Sequence, residues 1–483
     1  MDTERLEITE KNIAHAGEII RRGGLVAFPT ETVYGLGANA LDADAVRSVY
    51  EAKGRPSDNP MIVHISEMGQ LADVASEIPA VAVPLIQAYW PGPITFIMKK
   101  AEGVPMVTTG GLDTVGIRMP LSEAARDLIR AAERPIAAPS ANRSGRPSPT
   151  RYEDVLEDMD GRIDAVLLGE DCEVGIESTV LDLTGEVPMI LRPGYITKEM
   201  LEFTLGSEVK YDPALFVDPM HRSEGEEFHP KAPGMKYRHY APKAEVKIIE
   251  GDDDAAVERE IKEQLRLCKY ARQKAVALNY GRDSKAAAKD FFARLRELDR
   301  EDVDVILVRA LPEEELGFSV MNRMLKSAGY DGIHVEEGEE MIIAIGCDHA
   351  GYPLKEAVKE KLIAEGHEVL DVGTNSTESV DYPIYGKAVG EAVASGKAER
   401  GIAICGSGIG ISIACNKVKG IRCALCTSVE MAEMCRRHNN ANVIAMGARM
   451  ISQELAFEMI DTWMKTEFEG GKHLRRINML EEI

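Results

Sequence analysis

Gly401–Gly410, GIAICGSGIG, is the stretch that decides the fold. An apolar run of strand character ends in a cysteine, and glycine then alternates with other residues. Glycine at that pitch lets backbone N–H groups crowd around an anion. The spacing is G-x-G-x-G, not the G-x-G-x-x-G of a dinucleotide site. A dinucleotide site also has no use for a thiol at the mouth of the cradle. Around this stretch, from Met341 to Ile483, MIIAIGCD, HEVLDVG, IRCALCTS and ANVIAMG repeat the strand pattern, with helices between them. The first helix carries Leu354, Val358 and Leu362 on one face. This predicts a doubly wound, Rossmann-like sheet, a design that binds ligands beyond the carboxyl ends of its strands.

The polar residues of residues 341–483 sit where that rule wants them. Asp348 and His349 follow the first strand, Cys405 and the glycine loop the third. His438 and Asn439 precede the fifth, Arg449 follows it, and GGKHLRRI brings Lys472, Arg475 and Arg476. A thiol, an imidazole, a cradle of donors and a basic cluster suit proton transfer beside a carbonyl on a phosphorylated substrate. Each feature has a plainer reading, since a strand-end cysteine is usually just packed. Cys423 and Cys426 form a single C-x-x-C on an expected strand, where they point to opposite faces, so no metal site is expected.

GCDHAG, DYP, CGSGIGISIACNK, HNNANV, MGARM and GGKHLRR, in that order, resemble ribose-5-phosphate isomerase B and its sugar-phosphate relatives. The resemblance implies that Cys405 moves the proton between carbons 1 and 2 and that Ser407, often Thr in relatives, assists the enediolate. It makes Gly406, Ser407, Gly408, Ile409 and Gly410 the anion hole. His438 opens the furanose ring, with Asp348 and Tyr382 near the sugar and Asn439 on the substrate. Phosphate meets His349, Arg449, Lys472 and Arg476. Lys472 stands where Arg is usual, which keeps charge and loses the bidentate fork. In that family one site draws on two subunits, which implies a homodimer or higher. A relative acting on a hexose 6-phosphate is the alternative.

The chain before this part has its own pattern. Residues 1–205 alternate strand-like runs (GGLVAFPT, MIVHIS, TVGIRMP, RPIAAPS, DAVLLG, STVLDLT) with helices, one being Ala43–Lys53, as in a mixed-sheet α/β domain. Residues 206–243 form a proline-containing connection that ends in KAPGMKYRHYAP, too rich in basic and aromatic residues for a passive linker. Residues 244–335 alternate strand and helix cleanly, as a small parallel-sheet domain without an evident polar constellation, so scaffold or regulatory use is expected.

Thr30, Thr32 and Tyr34 in PTETVYGLG, Lys53, Arg55 and Asn59 in KGRPSDNP, His64, Arg118, Ser140 and Asn142 in PSANRSG, Ser178 in ESTV and Arg192 place cations and hydroxyls on several strand ends. That suggests a concave polyphosphate site, and there is no Walker sequence. Together these motifs resemble the threonylcarbamoyl-AMP synthase family with its YrdC-like fold. K-x-R followed by S-x-N is that family's signature. Its long form has a linker ending in PGMKYRHYAP and a second α/β domain, with NRMLKSAG near its end here. The resemblance implies that L-threonine, bicarbonate and ATP, carried with Mg2+, give threonylcarbamoyl-AMP and pyrophosphate. The product then passes to the tRNA threonylcarbamoyl transferase machinery. Threonine would meet Thr32, His64, Arg118, the backbone of Ala138, and Ser178. ATP would meet Lys53, Arg55, Asn59, Thr114, Ser140, Asn142, Ser148, Arg192 and Tyr240. The alternative for this half is an RNA-binding module.

Composition narrows the classes. Over 483 residues two to four domains are expected, and the net charge of -23 with 5% aromatics argues against a nucleic-acid coat. Eight cysteines without framework spacing suit a reducing cytoplasm. The charged start and the absence of a long apolar run predict neither signal peptide nor membrane span.

Overall fold

The computed structural model describes residues 2–216, 240–335 and 340–481. Most of KAPGMKYRHYAP lies outside the described residues, which resume at Tyr240. The chain divides after Val335 into two compact units. Among the described residues no helix is long and apolar enough to cross a membrane.

The first unit holds an 11-stranded mixed sheet and a 4-stranded sheet. The large sheet begins with Glu4–Glu7 beside Ala165–Leu168, with Glu4 opposite Ala165 in parallel register. It continues through Val26–Phe28, Gly35–Asn39, Ile136–Ala137, Ile62–His64, Thr114–Arg118, Ile94–Lys99 and Thr179–Asp182, and ends at Met189–Arg192 and Lys210–Tyr211. That last strand extends the sheet past Leu205, into the stretch expected to be linker. The helix Ala43–Lys53 forms as expected. Asp42 caps it by accepting from the amides of Asp44 and Ala45, and Gly54 ends it at φ 62. Ala45, Val46, Val49 and Tyr50 form its buried face.

The small sheet is all parallel, in the order Ala275–Leu278, Val305–Arg309, Glu245–Glu250, Gly332–His334. Its helices Ser284–Arg300 and Leu316–Ala328 bury Phe291, Phe292, Val320 and Met324. They also bury Arg296, Arg323 and Asn322. The helices of this part therefore carry a buried polar set that the sequence does not announce.

The second unit is a five-stranded parallel sheet, in the order Glu368–Asp371, Ile342–Cys347, Arg400–Cys405, Val443–Gly447, Cys423–Leu425. Arg400–Cys405 is central, so both its faces are covered. Ile402 and Ile404 pack with Ile343, Ile345, Val358 and Leu362 on one side. Ala403 and Cys405 pack with Ala344, Val443 and Ala445 on the other. Burying each isoleucine contributes about 1.5–3 kcal/mol. Cys423 and Cys426 fall into these two different clusters, on opposite faces.

Candidate functional sites

In the first unit a cleft opens at the ends of the central strands. After Val26–Phe28 the chain folds back on Thr30, whose hydroxyl donates to the Val33 carbonyl at 2.6 Å. Thr30 also accepts from the amides of Thr32 and Val33. This tight loop presents Glu31 and Thr32 to Arg118, at the end of Thr114–Arg118. The guanidinium donates to Thr32 Oγ1 at 2.9 Å and to Glu31 at 2.6 Å. Burial pushes the Glu31 carboxyl up, and Arg118 overrides it, leaving it below the usual carboxylate range. His64 is fully enclosed, and burial first, then Arg118, lower it to about 3, so the ring is neutral. Thr32, His64, Arg118, Ala138 and Ser178, the expected threonine set, all line this one cleft.

Five residues of the expected ATP set line the same cleft: Arg55, Ser140, Asn142, Arg192 and Tyr240. Arg55 donates to the carbonyls of Asn59 and Pro60, at 3.3 and 3.1 Å. Arg192 donates to the Ser178 carbonyl at 3.1 Å and to its hydroxyl at 3.2 Å. Burial lowers Arg192 to about 10 although Glu177 opposes it. Tyr240 enters in the left-handed region at φ 66 and packs its ring on Phe292, centroids 5.0 Å apart.

Lys53, Asn59, Thr114 and Ser148 are not in the lining. Lys53 sits in the last turn of its helix and is buried. Its ammonium donates to the Ser140 and Asn142 carbonyls from behind, shaping the loop that faces the cleft. Burial, then Arg55, hold it well below the usual lysine range. Asn59 is buried with its Oδ1 unpartnered. Thr114 starts its strand opposite Lys99, at the far end from Arg118. Ser148 donates to Glu177 at 2.6 Å. Glu177 is the charged lining residue that the sequence reasoning missed, although it stands inside the motif ESTV, and Glu31 lies behind the lining as the partner of Arg118.

In the second unit Cys405 ends the central strand and is buried. The Gly408 amide donates to its sulfur at 3.1 Å, and Gly408 takes φ 78 to start the helix Ile409–Asn416. Asp348 accepts from the amides of Ala350 and Gly351, both at 3.0 Å. His349 is fixed by the Val380 amide at 3.1 Å. A Cβ on Gly406 would stand 3.7 Å from Arg449, and one on Gly410 would meet the Tyr382 ring at 2.5 Å. These residues form one group around the thiol.

A second group surrounds His438, in the last turn of Val429–Asn439. Its ring stacks on His473, centroids 4.3 Å apart and planes within 2°. Both Nε2 atoms lie 3.7 Å from one Glu469 oxygen. One ion cannot lie in the plane of two parallel rings, so the trio as placed does not offer both imidazoles to one metal. Lys472 and Arg476 are exposed on the helix Lys472–Glu481, and with His438 they push His473 down, after burial. Asn439 uses its carbonyl to accept from Arg422 at 3.1 Å. No hydrogen bond, ion pair or ring contact among the described residues joins this group to the one around Cys405.

Known families match over nearly the whole chain. Residues 18–194 match the family described as telomere recombination, 196–329 the threonylcarbamoyl-AMP synthase C-terminal domain, and 343–480 ribose/galactose isomerase. The threonylcarbamoyl-AMP synthase of Pyrococcus abyssi is 47% identical over 342 residues, covering 68% of this chain and 98% of that protein. A crystal structure of the P. abyssi Sua5 protein complexed with L-threonine superposes with a TM-score of 0.64 at 46% identity, covering 69% of this chain and 100% of that one. Ribose-5-phosphate isomerase B of Escherichia coli is 45% identical over 141 residues, 29% of this chain and 95% of that protein. Two enzyme classes are thus joined in one polypeptide, a transferase followed by an isomerase. The chain belongs to the threonylcarbamoyl-AMP synthase family over its first two thirds and to the ribose-5-phosphate isomerase B family over the remainder.

Proposed function

We propose that the first unit makes threonylcarbamoyl-AMP and pyrophosphate from L-threonine, bicarbonate and ATP, for modification of tRNA. The observation that carries this is the convergence of Thr32, His64, Arg118 and Ser178 with Arg55, Ser140, Asn142 and Arg192 on one cleft. Arg118 would hold the amino-acid carboxylate, and neutral His64 would leave that charge unopposed. The threonine amine adds to bicarbonate with loss of water. The resulting N-carboxylate then attacks the α-phosphorus, and pyrophosphate leaves. Arg55 and Arg192 would stabilise the charge on the phosphates. Glu177 in the lining and Glu31 behind it are each engaged by an arginine, so the cleft is fitted to phosphates rather than to a resident cation. Mg2+ would therefore arrive on ATP. The test is pyrophosphate release by the full chain with and without L-threonine and bicarbonate. Release that needs both is expected, and Arg55→Ala should lose it while sugar isomerisation persists. Saturable, salt-sensitive tRNA binding without ATP turnover would move the RNA reading forward.

The second unit is proposed to interconvert ribose 5-phosphate and ribulose 5-phosphate. Cys405 would take the carbon-2 proton, amides of the Gly406–Gly410 loop and Ser407 would hold the enediolate, and the proton would return to carbon 1. His438 would open the furanose. His349, Arg449, Lys472 and Arg476 would hold phosphate, with Asp348, Tyr382 and Asn439 on the sugar. The separation of the His438 group from the Cys405 group within one chain, with exposed Ile384, Ile409 and Ile413, supports a homodimer or higher that would complete the site. Competing ribose 5-phosphate against a hexose 6-phosphate decides the substrate.

A further inference from the structure

NRMLKSAG, Asn322–Gly329, has no part in either reaction above. It lies on the helix Leu316–Ala328, where Val320, Met321 and Met324 serve the small domain's own core. Arg323 faces elsewhere. It is fully buried, and its guanidinium reaches the wall of the cleft. Nε donates to Glu177 Oε2 at 3.2 Å, Nη2 to the Glu177 carbonyl at 3.4 Å, and Nη1 to the Pro193 carbonyl. One turn earlier, Ser319 donates to the Gly194 carbonyl at 2.8 Å. A single helical face therefore holds the segments that present Ser178 and Arg192.

Glu177 is the reason this grip bears on chemistry. Its carboxylate lines the cleft and accepts from Ser148 and Tyr240. An uncompensated carboxylate there would repel a polyphosphate at short range, in surroundings that screen poorly. We propose that Arg323 is a positioning residue for the nucleotide reaction: it neutralises Glu177 so that ATP can enter, and it makes the small domain part of the ATP site. This rests on the adenylate-forming reading of the first unit.

The test uses the full-length chain with Arg323→Met, Arg323→Lys, and Arg323→Met combined with Glu177→Gln. Steady-state pyrophosphate release gives kcat and KM for ATP and for L-threonine. Calorimetric titration with a non-hydrolysable ATP analogue gives binding without turnover, and a thermal melt reports folding. Arg323→Met should raise KM for ATP and the analogue's Kd by roughly tenfold to a hundredfold, with a smaller change in KM for threonine. Arg323→Lys, which keeps charge and loses the fork, should fall between. Adding Glu177→Gln should restore most of the lost nucleotide affinity, which mere domain adhesion would not do. Nucleotide affinity unchanged in Arg323→Met, no rescue in the double variant, or Arg323→Lys as impaired as Arg323→Met would each overturn the proposal. Should Arg323→Met not fold, Arg323→Lys and its combination with Glu177→Gln decide it on the same criteria. If the wild-type chain releases no threonine-dependent pyrophosphate, the adenylate reading falls, and the analogue's Kd across the variants still decides the role of Arg323.

Discussion

The sulfur of Cys405 accepts a hydrogen bond from the Gly408 amide at 3.1 Å, which joins the thiol to the anion loop it precedes. A group that donates less electron density there would lose both the base and the anchor of the turn. Cys405→Ala should cut sugar isomerisation by about 10²–10⁴-fold. Threonine-dependent pyrophosphate release should be unchanged, because Cys405 belongs to the other compact unit. Loss of both activities from folded protein would refute the two-site account.

The loop glycines should separate into structural and functional ones. A Cβ on Gly408 would meet the Met446 backbone at 2.8 Å, at a φ of 78. Gly408→Ala should therefore lower the melting temperature of the isomerase unit. The nearest atoms to a Cβ on Gly410 are instead at the far end of the Tyr382 ring, a side chain that is 40% exposed. Gly410→Ala should keep its melting temperature and raise KM for the sugar phosphate. The reverse pattern would mean the Tyr382 ring is not at the substrate.

Removing Arg118 leaves the Glu31 carboxylate buried without its partner, side chains here being 5% and 4% exposed. Breaking such a pair from one side costs about 3–5 kcal/mol. Arg118→Met should destabilise the first unit by that order in denaturant titration. Glu31→Gln added to it should recover stability and not threonine-dependent turnover, which separates the packing role of the pair from substrate binding.

His64 carries a pH signature. Its folded pKa, about 3, lies below the ordinary 6.5, so the unfolded chain takes up a proton that the folded chain refuses. Stability is then full above pH 6.5 and falls as pH drops towards 3, by up to about 1.4 kcal/mol per pH unit. Between pH 6.5 and 5, above the carboxylate range, melts of the wild type should show this slope and His64→Gln should flatten it. Parallel slopes would show that His64 is not buried neutral.

What could be read in advance follows local chemistry. Ala165–Leu168 and Arg400–Cys405 are legible because apolar runs stop at glycine or at a glycine-rich turn. Glu4–Glu7, reading ERLE, and Gly35–Asn39, reading GLGAN, are not, because charge and glycine contradict strand propensity and only pairing with distant strands overrides it. The hydroxyls and arginines of the cleft were legible through their motifs. That Lys53 turns away from the cleft follows from where the helix ends, and sequence spacing does not encode that. The Arg323–Glu177 pair spans 146 residues and joins two segments that look self-sufficient when read alone.

The register of Glu4–Glu7 against Ala165–Leu168 also sets a timetable for the nascent chain. At roughly 5–20 residues per second of synthesis, the leading strand waits on the order of ten seconds for its partner to leave the ribosome. Until then Val26–Phe28 lacks its parallel neighbour too, and the sheet has an open edge that invites pairing with other chains. Chaperones would meet the fused polypeptide at that stage, which ends before any of the isomerase has been translated.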